Sequence, residues 1–69
     1  MREYLKTLRN ENNLTQLETA KKLDISESYY CQIENGERQK KFDIGLAQKL
    51  ADVFGVTLEF ICEQETKAG

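Results

Sequence analysis

A row of polar side chains lies between Glu27 and Asn35, at spacings that place its members on one face of a helix. The row consists of Glu27, Ser28, Cys31, Gln32 and Asn35. Tyr30 and Ile33 fall on the other side, so we expect them to turn inward and the row to face outward. The sequence has no histidine, no cysteine paired with a base and no glycine loop that could cradle phosphate. It therefore predicts recognition by hydrogen bonding, with no enzymatic activity and no cofactor.

Two short capped helices joined by a tight turn are expected to position this row. Thr15 and Glu18 form a capping box at the start of the first helix. Ser26 caps the second helix, and Gly36 ends it, because glycine adopts the left-handed C-terminal conformation without steric cost. About three residues separate the two helices, which favours a sharp crossing. The row then lies on a projecting helix, where it can read base edges in the major groove of DNA.

The remaining apolar pattern predicts three further helices. The first covers about Arg2 to Glu11, and Asp43 caps a fourth helix that Gly55 closes. The buried stripe of this fourth helix is expected to consist of Ile44, Ala47, Leu50, Ala51 and Phe54. In the first motif helix, Leu17, Ala20 and Leu23 form an apolar face, which we expect to be buried against another helix.

A short fifth helix, capped by Thr57, is expected before a disordered tail over residues 64–69. The sum is an all-α fold: a compact five-helix domain over residues 1–63, in which the second and third helices form a helix-turn-helix. No apolar run approaches the ~20 residues that cross a bilayer, and the N-terminus lacks a secretory signal, so we expect a cytoplasmic chain without membrane contact. Cys31 and Cys62 suggest neither a metal site nor a disulfide.

Charge is distributed unevenly along the chain, whose net charge is −2. Residues 1–41 carry eight Lys or Arg against seven Asp or Glu, a balance of +1, whereas residues 42–69 carry two against five, a balance of −3. The basic residues Arg38, Lys40 and Lys41 directly follow the second motif helix. They lie where a DNA backbone would run if that helix entered the groove. Local charge matters more there than total charge, because charges farther away than a screening length of about 8 to 10 Å are largely screened.

Several segments between Leu5 and Ile61 combine into a pattern that is more specific than any one of them. They are Leu14-Thr15-Gln16, Ala20, Ile25-Ser26, Ile33-Glu34-Asn35-Gly36, Leu50-Ala51 and Phe54-Gly55-Val56. In these the chain resembles the Xre family, the helix-turn-helix repressors of the Cro and lambda-repressor class. It departs from the family at Asp24, where glycine is usual, and at Thr19, where a large aliphatic residue is usual.

The chemistry of the side chains and the resemblance together assign candidate contacts with double-stranded DNA. Gln32 has the chemistry to pair bidentately with adenine, and Ser28 to bond either kind of partner. Glu27 either accepts from a cytosine amino group or only stabilises its own helix, and Tyr29 either bonds a phosphate or packs at the rim of the domain. The loop residues Arg38, Lys40 and Lys41 are assigned to phosphates.

The resemblance adds three further expectations about the site. It implies a groove-edge contact by Gln16 and a phosphate contact by Asn35. It also implies that Arg9 and Glu34 pair between the first and third helices, which would hold the third helix to the rest of the domain.

The function implied is that of a transcriptional regulator, a repressor that acts as a homodimer on an inverted repeat, as in phages and mobile elements. The resemblance places the dimer interface at the C-terminal end, at Val56, Leu58, Phe60 and Ile61. No room remains for a small-molecule ligand pocket. The alternative is a helix-turn-helix that binds another protein, such as an antitoxin subunit, which the acidic C-terminal part would favour.

Overall fold

A computed structural model of the chain describes residues 2–39 and 42–68, and within them the backbone forms five helices without a strand. They are α1 (Glu3–Glu11), α2 (Gln16–Leu23), α3 (Glu27–Asn35), α4 (Ile44–Phe54) and α5 (Leu58–Ala68). The predicted all-α fold is confirmed. None of the helices in the described ranges has the length and apolar character needed to cross a membrane.

Side-chain caps begin four of these helices at the predicted residues. In the capping box of α2, Thr15 Oγ1 accepts from the Glu18 amide at 3.1 Å, and the Thr15 amide donates to Glu18 Oε1 at 2.9 Å. These hydrogen bonds lower the pKa of Glu18, because they stabilise its charged form. The other caps are the side chains of Ser26, Asp43 and Thr57, each accepting an amide three residues later. Each cap satisfies an amide that the first helical turn leaves without a partner.

The helix-turn-helix accommodates both departures from the family pattern, one inside α2 and one in the turn that follows it. Asp24 ends α2 in the left-handed conformation, with φ of 60° and ψ of 43°, which an aspartate can adopt. Thr19 is fully buried, and its hydroxyl donates to the carbonyl of Thr15 at 2.9 Å. The polar group is thereby satisfied inside the helix, so threonine can stand at a core position.

The core lies where the five helices meet. Its fully buried side chains include Leu5, Leu23, Ile33, Leu50 and Ile61, which come from all five helices. α3 packs against α2 and α1, while α4 covers α2 and α5. α3 is thus supported on its inner side by two helices, which leaves its outer side to solvent.

Two residues predicted to be buried are exposed: Leu17 is 44% accessible and Ile44 is 72% accessible. Both lie in the first turn of their helix, where fewer neighbours surround them. At 100° per residue, Leu17 stands about 120° from the centre of the arc formed by Thr19, Ala20 and Leu23. Ile44 stands about 90° from the centre of the buried arc of α4. A three-residue spacing alone therefore overestimates the width of the buried face.

The predicted disordered tail is wrong for residues 64–68, because α5 continues as a helix to Ala68. Gly69 lies outside the described residues. Glu65 holds this segment, since its carboxylate accepts from Arg2 Nε at 2.8 Å and also from the Tyr4 hydroxyl. The polar composition of the segment suggested disorder, but its ordering partner is at the other end of the chain.

Candidate nucleic-acid interface

The outer face of α3 is polar, as the sequence predicts. Glu27, Ser28 and Asn35 are exposed, and Cys31 and Gln32 are half-buried, whereas Tyr30 and Ile33 are fully buried. The outward placement of the row is therefore confirmed, and its contact with DNA stays a prediction. Among the described residues no group of His, Cys, Asp and Glu could hold a metal ion.

A buried ion pair fastens α3 to α1. Arg9 Nε donates to Glu34 Oε2 at 3.1 Å, and Arg9 Nη2 donates to Glu34 Oε1 at 3.3 Å. Only 1% of the Glu34 side chain is accessible, while Arg9 Nη1 also donates to the Leu14 carbonyl at 3.0 Å. The hydrogen bonds to Glu34 raise the pKa of Arg9. The expected pairing of Arg9 with Glu34 is confirmed, and through Arg9 it links the last turn of α3 to the residues just before α2.

Gln16 is the first residue of α2, where free backbone amides and the positive end of the helix dipole favour an anion. Its Nε2 lies 3.4 Å from Glu34 Oε1, so the side chain leans toward the buried pair. The groove-edge contact expected of Gln16 stays a prediction, and the residue lies at a helix N-terminus, where a DNA phosphate is favoured.

The exit loop, residues 36–39, folds back onto the outer face of α3. Arg38 Nε donates to Gln32 Oε1 at 3.0 Å, and Gln39 Nε2 donates to the Tyr29 hydroxyl at 2.7 Å. Because that hydroxyl accepts from Gln39, its own hydrogen is free to donate elsewhere. The other two residues of the predicted basic loop, Lys40 and Lys41, lie outside the described residues.

Arg2 is a positioning residue of the site that the sequence analysis missed. The residue is only 6% accessible. Its Nη1 donates to the Ile33 carbonyl at 2.6 Å and to the Arg38 carbonyl at 3.0 Å, and its Nη2 donates to the Gln39 carbonyl. A cation at the C-terminal end of α3 is favoured by the helix dipole, which is negative there. Arg2 therefore fixes the exit loop to the end of α3.

The Arg2 guanidinium lies among the side chains of three other residues. Together with Arg2 they form the Arg2 cluster, which consists of Arg2, Tyr4, Phe42 and Glu65. The guanidinium carbon lies 4.3 Å from the centre of the Phe42 ring, and Nε pairs with Glu65. Burial raises the pKa of Tyr4, and its hydrogen bond to Glu65 adds to the effect. No local signal in the sequence could have revealed the cluster, because its members come from both ends of the chain and from the segment before α4.

Tyr30 carries a buried hydroxyl that forms no hydrogen bond of good geometry among the described residues, although the Glu34 carboxylate lies close to it. Because an unsatisfied buried hydroxyl is destabilising, we expect Tyr30→Phe to raise the free energy of unfolding by about 1 kcal/mol. Urea unfolding followed by circular dichroism measures this. In the matched control Tyr29→Phe, the hydrogen bond from Gln39 is lost and the free energy of unfolding should fall slightly. A loss of stability in Tyr30→Phe would show that its hydroxyl is satisfied in solution.

The unchanged protein and Tyr30→Phe should also differ in how their stability depends on alkaline pH. Burial raises the pKa of Tyr30, and the nearby Glu34 carboxylate raises it further. In the unfolded chain the Tyr30 hydroxyl releases its proton near the ordinary pKa of about 10, whereas the folded chain retains the proton. The free energy of unfolding is therefore unaffected by this group below that pH and falls above it. Tyr30→Phe should therefore lose less stability than the unchanged protein when the pH rises above about 10.

The comparisons with known proteins agree with this geometry. A family model described as helix-turn-helix, of the Xre and Cro-like type, matches residues 5–61. No match was found among curated proteins or among solved structures. The matched range begins in α1, contains α2, α3 and α4, and ends inside α5, so it includes the outer face of α3 and the ion pair that supports it. The chain belongs to the Xre family of DNA-binding, helix-turn-helix transcriptional regulators.

Proposed function

We propose that this chain is a cytoplasmic, sequence-specific repressor that binds an inverted-repeat operator as a homodimer. The observation that carries the proposal is a rigidly mounted α3 with a polar outer face. The buried pair of Arg9 with Glu34 and the hydrogen bond from Arg2 to the Ile33 carbonyl both hold the last turn of α3. A helix fixed at these points can present side chains to a groove without first paying for their ordering.

In this proposal α3 enters the major groove and its outward residues divide the contacts. Gln32 reads a base edge from the middle of the face, and Glu27 and Ser28 lie closer to the helix start. The backbone contacts are assigned to Gln16, Tyr29, Asn35 and Arg38, together with Lys40 and Lys41. Arg38 is exposed, and the Tyr29 hydroxyl, which accepts from Gln39, keeps a hydrogen that it can donate to a phosphate.

A homodimer is proposed because one such face contacts too few base pairs for useful specificity. Two copies related by a two-fold axis would place their half-sites about 34 Å apart, one turn of DNA. The proposed dimer interface lies at the start of α5. It consists of three half-buried residues, Val56, Leu58 and Phe60. The assignment of Ile61 to this interface is wrong, because its side chain is fully buried in the core. At 100° per residue, Ile61 stands near the centre of the inward face of α5, and Leu58 stands about 60° away from it.

Selection of binding sites from random duplexes tests the proposal. The unchanged protein should enrich an inverted repeat, and Gln32→Ala should lose preference at one base pair of each half-site while keeping the repeat. The matched control is Gln48→Ala, since Gln48 is an exposed glutamine on α4 that bonds only Asp52 among the described residues. It should leave the selected site unchanged. Absence of enrichment at low salt would refute sequence-specific reading.

The second candidate is a protein-binding module, such as an antitoxin subunit, and the charge balance of −3 over residues 42–69 favours it. Salt distinguishes the two. Binding to DNA should weaken steeply between about 50 and 200 mM salt. Contacts to phosphates release counterions from the DNA, and this release becomes less favourable as the salt concentration rises. A flat salt dependence together with weak DNA binding would favour the protein partner.

A further inference from the structure

The side chain of Gln32 is already engaged in the free protein. Arg38 Nε donates to Gln32 Oε1 at 3.0 Å. A guanidinium has donors only, so the amide atom that faces it has to be the oxygen. The two N–H groups on Gln32 Nε2 are thereby turned away from the exit loop.

The main chain keeps Arg38 beside Gln32. The amides of Glu37 and Arg38 both donate to the Gln32 carbonyl, at 2.8 and 3.3 Å. Arg2 Nη1 holds the Arg38 carbonyl from the other side at 3.0 Å. Residues 32 and 38 are therefore joined through both main chain and side chain. Within the described part of the chain Arg38 forms no salt bridge that would draw its guanidinium elsewhere.

We propose that Arg38 is a positioning residue that sets the base preference of Gln32. The proposal rests on the proposed function, sequence-specific reading of DNA by α3. An unconstrained glutamine amide suits adenine, because its oxygen accepts from N6 and its nitrogen donates to N7. When Arg38 holds the oxygen, the Gln32 side chain presents to the groove only the two N–H donors of Nε2. The base with two acceptors on its major-groove edge is guanine, through N7 and O6. The pair therefore selects guanine where Gln32 alone would select adenine.

Site selection from random duplexes with four proteins tests this: the unchanged chain, Arg38→Met, Gln32→Ala and the double variant. Methionine keeps much of the length of the arginine stem but has no donor, and Arg38 is exposed, so folding should be retained. The unchanged chain should prefer guanine at one base pair of each half-site. Arg38→Met should shift that position toward adenine by about tenfold in relative affinity, the size of one good bidentate base contact. On the Gln32→Ala background the same substitution should shift nothing.

Two further variants make the result specific. Arg38→Lys keeps a charged donor and should retain the guanine preference. Lys67→Met removes one exposed positive charge on α5 and should leave the base preference as it was.

The outcomes separate this inference from the proposed function. If Arg38→Met weakens binding equally for all four bases, Arg38 contacts only phosphate and the inference fails, while sequence-specific binding stands. A preference for adenine in the unchanged chain would also overturn it. If the unchanged chain enriches no sequence at low salt, the proposed function fails and the inference fails with it.

Discussion

Arg9→Met is expected to lower the free energy of unfolding by about 3 kcal/mol or more, because it leaves the Glu34 carboxylate buried without its partner. The cost is large for this chain, since a core of this size rarely supplies more than about 3 to 5 kcal/mol in total. The variant should therefore be mostly unfolded or close to its midpoint without denaturant. Urea unfolding followed by circular dichroism, with a stabilising cosolvent if needed, measures the change.

A double-mutant cycle supplies the control. Glu34→Gln should cost less, because it leaves a neutral amide in the core and Arg9 is partly accessible to water. Adding Glu34→Gln to Arg9→Met should recover part of the loss, since no buried charge then remains without a partner. If Arg9→Met costs under about 1 kcal/mol, as an exposed pair would, the pair does not hold α3 in the way described.

Arg2→Ala is the second substitution with a large expected effect, a loss of about 3 kcal/mol in the free energy of unfolding. Each charge-assisted hydrogen bond is worth about 1.5 to 3 kcal/mol, and the guanidinium makes several, to the carbonyls of Ile33, Arg38 and Gln39 and to Glu65. Backbone amide shifts of residues 36–39 should also change, because the exit loop loses its anchor. Urea unfolding and NMR together measure both effects.

Conservative substitution and truncation test the cause of that loss. Arg2→Lys should recover little, because an ammonium cannot reproduce a planar fork that reaches several carbonyls and a carboxylate at once. Deletion of residues 64–69 removes Glu65 and should destabilise the domain, whereas a disordered tail could be removed without effect. A truncated chain as stable as the full one would refute the role given to the Arg2 cluster.

Features that depend on neighbours within about four residues were predicted correctly from the sequence, since helix caps are local. The caps at Thr15, Ser26, Asp43 and Thr57 form as predicted, and so do the ends at Gly36 and Gly55. Leu17 and Ile44 were misjudged because the neighbouring helices cover a face of α2 and of α4 that is centred about 120° and 90° away from these residues. Such an effect depends on tertiary geometry that residue spacing does not contain.

The candidate site shows the same division. The polar face of α3 follows from helical spacing, and the pairing of Arg9 with Glu34 followed from the family resemblance. The contact of Arg38 with Gln32 could not be foreseen, because it needs the exit loop to fold back on the helix. Gln39 takes a left-handed φ of 56° in that loop, although nothing about a glutamine indicates this conformation. The burial of Arg2 likewise depends on partners as distant as residue 65.

The contact between Arg2 and Glu65 closes a loop between residues that are 63 positions apart in the sequence. Such closure is entropically costly, so it should form late in folding, after the helices have docked. The two chain ends should then detach together, and the exit loop with them, in a partial opening that leaves the centre intact. Native-state hydrogen exchange would show this as one shared opening free energy for amides in the last turns of α5 and in residues 36–39.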